Sequence, residues 1–144
     1  MPKRSATTAW QGTLEQASGR VTLQSSKIAT YDVSFPARAA DEAGGITSPE
    51  ELIAAAHSAC YAMQFSALAA EAGGVPVTLS VNAEVSLEAD PAGGFRIGGI
   101  VLQVSGSVEG LDAGGFERVA QQAKDTCPVS KALSAVPITL RVES

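Results

Sequence analysis

The nucleophilic chemistry available to this chain rests on two thiols and one imidazole. Cys60 lies in AHSACYAM, with the only histidine, His57, three residues before it, and Cys127 lies in DTCPVSKAL. A cysteine attacks as a thiolate, and a free thiol ionises near ~8.5. Burial in an apolar helix raises that value. Cys60 falls about three turns into a helical stretch, beyond the reach of the helix-end field. A reactive Cys60 therefore needs a cation from elsewhere. His57 can share its helix face. The arginines are the other source, Arg38 foremost, because a guanidinium stays charged when partly buried and offers a fork of donors. Cys127 precedes Pro128, and proline favours the first position of a helix. Cys127 is then expected at the N-cap, facing free backbone N–H groups, where a thiolate is stabilised. Such a placement suits a resolving cysteine, which attacks an oxidised partner or leaves as a thiolate.

Plain packing is the competing account. Cysteine is among the most buried residue types, His57 can be a satisfied core or surface histidine, and Glu50-Glu51 can complement the helix dipole. Arg38 alone would be a solvated loop charge. As zinc ligands, His57, Cys60 and Cys127 match no common spacing, so no metal is expected. No nucleotide-binding loop or flavin fingerprint is present, and no cofactor beyond the thiols is expected.

The elements that must position these groups follow from patterning. Short half-buried strands are expected near Trp10, over GRVTLQS and over KIATYDVSF, where Val21 and Leu23, and less cleanly Ile28 and Val33, alternate with polar neighbours. Residues 37–47 (ARAADEAGGIT) read as a loop. Ser48, Pro49 and Glu51 form a helix start with a capping box, and the helix stops at Gly73-Gly74. Leu52, Ala56, Cys60, Met63, Ala67 and Ala70 share one side of it, and Ile53, Ala59, Ala62 and Leu68 broaden that side. So apolar a helix should pack between a sheet and either a second helix or a second subunit. The alternation from Val77 to Leu87, answered by Ile100, Leu102, Val104 and, past Gly106, Val108, predicts a long hairpin with one buried face. A helix over 113–126 with Phe116, Val119, Ala120 and Ala123 inward, a short helix in VSKALS and a strand over 137–142 complete an α+β order.

The chain has 144 residues, which suits one domain spanning 1–144. Its net charge of -5 and its scattered basic residues argue against nucleic acid as a partner. No stretch reads as the roughly 20 apolar residues that span a bilayer, and MPKRSATTAWQG has no apolar signal core. No membrane partner and a cytoplasmic location are expected. In a reducing compartment a disulfide between two cysteines is transient and chemical rather than structural.

SPEELIAAAHSACYAM followed by KDTCPVSKAL resembles the OsmC/Ohr family, the osmotically inducible and organic-hydroperoxide-resistance proteins of bacteria. AWQG, FPARAADEAGGITSPEEL, VSLEADPAGGFRI and the terminal ITLRVES extend the likeness over nearly the whole chain. The CPVS and PEEL spellings resemble the OsmC branch. The resemblance implies an OsmC-like fold, with antiparallel sheets wrapped around long central helices in an intertwined homodimer. It also implies a cysteine-based peroxidase that reduces organic hydroperoxides and is regenerated by a dithiol reductant, lipoyl or thioredoxin-like. Carried over by motif, Cys60 would be peroxidatic, Cys127 resolving, and Arg38 the activating arginine held by Glu50. Glu50 and Cys60 are ten residues apart, about 15 Å along a straight helix and roughly 80° around it. A helix bend or the partner subunit is then expected to complete the site. Two other classes remain beside the enzyme: a module binding a hydrophobic ligand, which needs neither thiol, and a redox sensor using the same disulfide.

Overall fold

The structure is a computed structural model that describes residues 1–143; Ser144, the last residue of ITLRVES, and the side chain of Val77 lie outside the described residues. Contacts divide the chain into two compact units, residues 1–52 and residues 53 onward.

The first unit is an antiparallel sheet in the order β1 (Ala6–Gln11), β2 (Ser18–Leu23), β3 (Thr30–Val33). Trp10 pairs with Gly19 in register, and a Cβ on Gly19 would come 2.7 Å from the Trp10 ring, so the indole needs glycine there. The expected alternation is weak. Val21 and Leu23 are half-buried, but every residue of β1 is exposed, and Ile28 is 77 % exposed in the loop before β3. Within this unit the sheet has no second sheet to pack against, so period two alone does not bury its side chains. Residues 37–39, read as loop, instead continue a short helix α1 (Phe35–Ala39). Ser34 caps it by accepting from the Ala37 N–H at 3.3 Å, and Pro36 fits the first turn.

Helix α2 (Pro49–Glu71) begins in the first unit and continues without interruption into the second. Ser48 Oγ accepts from the Glu51 N–H at 3.2 Å, as expected of the cap. The Glu51 carboxylate accepts from Thr47 Oγ1, a partner outside the expected box. At the other end Gly73 adopts φ +83 and the Gly74 N–H donates to the Ala69 carbonyl at 2.8 Å, closing the helix as the glycine pair predicts. By length and composition α2 is apolar enough to cross a membrane, contrary to the sequence reading. Alanine content explains this, and the second unit's core takes its large side chains.

That core rests on the hairpin of β4 (Val75–Ala89) and β5 (Phe95–Glu109), paired antiparallel from Val75↔Glu109 to Ala89↔Phe95. Ile100, Leu102, Val104 and Val108 are buried on one face, as their alternation predicts. β6 (Ile138–Glu143) adds parallel to β5, so this sheet is mixed at its edge. α3 (Ala113–Thr126) lays Phe116, Val119, Ala120 and Ala123 into the same core, and α4 (Pro128–Ala132) follows after one residue, Cys127. From α2 the buried stripe is His57, Tyr61, Phe65, Leu68 and Ala69. The residues that share the Leu52–Ala70 side are not the ones buried in this unit. Ala56, Ala67 and Ala70 are exposed, Met63 is 73 % exposed, and Cys60 is intermediate. A helix apolar all round turns its bulkiest side chains to the sheet, because each aromatic ring removes far more area from water than an alanine methyl. Phe65 sits between Tyr61 and Phe116, with ring centroids 6.4 and 4.9 Å away.

Candidate active site

The two cysteines meet inside the second unit. α2 is tied to α3 and α4 by hydrogen bonds from its side chains, which form rungs between them. Tyr61 Oη donates to the Ala120 carbonyl at 2.7 Å, Gln64 Nε2 donates to Thr126 Oγ1 at 3.0 Å, and His57 Nε2 bonds Ser130 Oγ at 2.7 Å. Between these rungs the Cys60 thiol lies beside the Cys127 thiol, near enough for the two to interact. Both are free thiols, Cys60 partly accessible and Cys127 fully buried.

Cys127 occupies the expected junction. It ends α3, donating its N–H to the Ala123 carbonyl at 2.9 Å, and it is the N-cap of α4 with Pro128 behind it. Its side chain, however, caps nothing. One amide at this helix start, the Val129 N–H, interacts with the Cys60 sulfur instead. The donor that the sequence assigned to Cys127 thus serves the other cysteine. The reason is steric: an N-cap sulfur folded back on its own helix cannot also point across to α2.

Burial pushes the Cys60 thiol above its ordinary value. The Val129 amide opposes this, and the neighbouring Cys127, by hydrogen bond and charge, adds to it. His57 does not supply the missing positive charge. It is fully buried, desolvation lowers its pKa, and its Nε2 points to Ser130. Of the two cation sources the sequence offers, this leaves the arginines. Nor does His57 share a metal set: among the described residues no group of three or more His, Cys, Asp or Glu is arranged to hold an ion.

Arg38 and Glu50 are joined in the first unit. Arg38 Nε donates to both carboxylate oxygens at 3.0 and 3.2 Å, and Nη2 donates to Oε1 at 2.6 Å. Arg38 reaches Glu50 from the last turn of α1, and Glu50 stands in the first turn of α2. The structure therefore pairs the four expected residues two by two, Arg38 with Glu50 and Cys60 with Cys127. Sequence reasoning missed Ser130, the Val129 amide and the Gln64–Thr126 rung. The CPVS spelling placed Ser130 one turn after Cys127, but a serine at that spacing discloses no partner.

The OsmC-like protein family model matches residues 40–141, which include Glu50, Cys60 and Cys127 and begin after Arg38. The chain is 40 % identical to peroxiredoxin OsmC of Escherichia coli K12 over 126 residues, 88 % of this chain and 86 % of that protein. It is 36 % identical to the organic hydroperoxide resistance protein OhrA of Bacillus subtilis over 123 residues, covering 83 % and 84 % of the two chains. Among solved structures it is similar to the OsmC organic hydroperoxide resistance protein of Legionella pneumophila, with TM-score 0.76, 28 % identity and 97 % of each chain covered. It is likewise similar to OhrB of Bacillus subtilis, with TM-score 0.74, 27 % identity, and 96 % and 98 % covered. With its matched motifs, shared fold and paired thiols, this chain belongs to the OsmC/Ohr family.

Proposed function

We propose that this chain is a thiol-dependent peroxidase that reduces organic hydroperoxides through Cys60 and Cys127. The observation that carries the reading is a partly accessible thiol placed beside a buried one, near enough for the two to interact. A peroxide can reach the first, and the second waits behind it. The Cys60 thiolate attacks one peroxide oxygen, the O–O bond breaks, and the alkoxide leaves as an alcohol after taking a proton. Cys60 is then a sulfenic acid. Cys127 attacks its sulfur, a disulfide forms, and the hydroxyl departs as water with the Cys127 proton. A dithiol, lipoyl or thioredoxin-like, returns both thiols by exchange and is itself oxidised to a disulfide.

The environment of Cys60 disfavours its thiolate, so the reaction needs a cation beside it. We assign that part to Arg38, aligned by its fork on Glu50. Arg38 then stabilises both the thiolate and the oxygen on which charge develops. This assignment requires the two units to act as one domain over 1–144, with Arg38 brought to Cys60 within one chain or across a homodimer. The exposed Ala56, Ala59 and Ala67 of α2 support the dimer, since small side chains let a second helix approach closely. The reaction as written suits a reducing cytoplasm.

The test is a free-thiol count on reduced protein before and after one equivalent of cumene hydroperoxide, with Cys60→Ser and Cys127→Ser alongside. Loss of both thiols in the parent, little loss in Cys60→Ser, and turnover with a dithiol are expected. Survival of both thiols in folded parent protein refutes the proposal. Stoichiometric oxidation without turnover would make the chain a sensor instead.

A further inference from the structure

His57 is an expensive residue for a core. Its ring is fully buried, and its Nδ1 is the one buried side-chain polar atom without a hydrogen-bond partner among the described residues. A leucine would fill similar space without that desolvation cost. The ring is not a charged group either, since burial lowers its pKa. What it does make is one short bond to Ser130, which is itself 5 % exposed. That bond has a particular address. His57 lies one helical turn before Cys60 on α2, and Ser130 lies one turn after Cys127 through α4. Gln64 and Thr126 close the ladder on the other side of the cysteines. The cysteine pair is thus bracketed by a buried rung and a more exposed one. α4 is only five residues long, too short to hold its own position. Its Val129 amide and the preceding Cys127 both reach Cys60.

We propose that the His57–Ser130 hydrogen bond is a positioning device that pins α4 to α2 and so decides whether oxidised Cys60 closes to the disulfide or is oxidised again. The proposal rests on the peroxidase reading. Two reactions compete for the Cys60 sulfenic acid. In one, Cys127 attacks the sulfur, the S–S bond forms and water leaves. In the other, a second hydroperoxide transfers an oxygen, Cys60 becomes a sulfinic acid and an alcohol is released. The first is intramolecular and depends on holding the sulfurs in place, whereas the second depends on peroxide concentration. Loosening α4 slows only the first. His57 and Ser130 act through the cysteines and touch no substrate.

The experiment exposes reduced full-length protein to increasing cumene hydroperoxide without reductant. Intact mass separates the disulfide, which lacks two hydrogens, from the sulfinic acid, which gains two oxygens. Circular dichroism on each variant before oxidation establishes that the partitioning molecules are folded, since unfolded molecules would favour the sulfinic acid on their own. Ser130→Ala is expected to raise sulfinic acid over disulfide by about tenfold at a given peroxide concentration, and Ser130→Thr, which keeps the hydroxyl, to stay near the parent. The double variant His57→Leu, Ser130→Ala removes both polar groups and should recover thermal stability while keeping the raised ratio. A parental ratio in Ser130→Ala overturns the proposal, as does a double variant whose ratio returns with its stability. If the parent forms neither product, the peroxidase reading falls and this proposal with it. A parent that forms the disulfide normally, beside variants that partition alike, refutes the positioning role alone.

Discussion

Replacing Arg38 and replacing Glu50 should have unequal consequences, although the two residues make the same bonds. The Glu50 side chain is 9 % exposed and the Arg38 side chain 33 %. Arg38→Met leaves a buried carboxylate without its cation, which costs roughly 3 kcal/mol, the lower end for breaking a buried pair. Glu50→Gln leaves a guanidinium that water can reach, and the new amide oxygen still accepts one of its bonds. About 1 kcal/mol is expected there, the worth of one net hydrogen bond. With a urea dependence of about 2 kcal/mol per molar, the midpoint should fall by roughly 1.5 M in Arg38→Met and roughly 0.5 M in Glu50→Gln. The double variant should cost less than the sum, because the stranded charge is gone. Trp10, the chain's only tryptophan, lies in the same unit as the pair and reports the transition by fluorescence. Peroxide reduction measured alongside should drop on the order of 10²-fold in Arg38→Met, as for loss of one charge-stabilising donor, and less in Glu50→Gln. Equal midpoint shifts, or a larger shift in Glu50→Gln, would refute the argument from burial.

Cys60 alkylation by iodoacetamide across pH should move to a lower midpoint in Cys127→Ala, because Cys127 raises the Cys60 pKa by hydrogen bond and by charge. The midpoint should rise in Arg38→Met, and an unchanged value there would remove Arg38 from the surroundings of the thiolate. His57 should make the fold acid-sensitive. Its folded pKa lies below the unfolded 6.5, so the unfolded chain takes up the proton first, and stability is lost as pH falls from 6.5 toward the lower folded value. Urea midpoints measured over that window should lose this slope in the His57→Leu, Ser130→Ala variant. Gly106→Ala should destabilise by about 2 kcal/mol or more by overpacking, since its Cβ would stand 2.3 Å from the Thr78 carbonyl oxygen of the paired strand. A circular-dichroism melt unchanged by that substitution would contradict the close approach.

Local chemistry made much of this molecule readable in the sequence. Ser48 and Pro49 announce where α2 begins, Gly73-Gly74 where it ends, and alternation along β4 and β5 shows which face is buried. The cysteine motifs and the PEEL start carried the family, and with it the expectation that Arg38 meets Glu50 and Cys60 meets Cys127. These signals act over a few residues or within one motif, so order along the chain suffices to express them. Which side of α2 turns inward was not expressed that way. Every side of the helix is apolar, and the choice of the His57–Tyr61–Phe65 stripe over the alanine side depends on the volume that the hairpin and α3 leave to fill. The destinations of His57 and of the Val129 amide were equally hidden. His57 reaches Ser130 across 73 positions, and a hydrogen bond between residues so distant exists only once packing has brought α4 against α2. Sequence alone determined the candidate reactive atoms and, α1 apart, the helices and strands that carry them; tertiary structure decided which neighbour each atom faces, because burial and hydrogen-bond geometry depend on elements far apart in the chain.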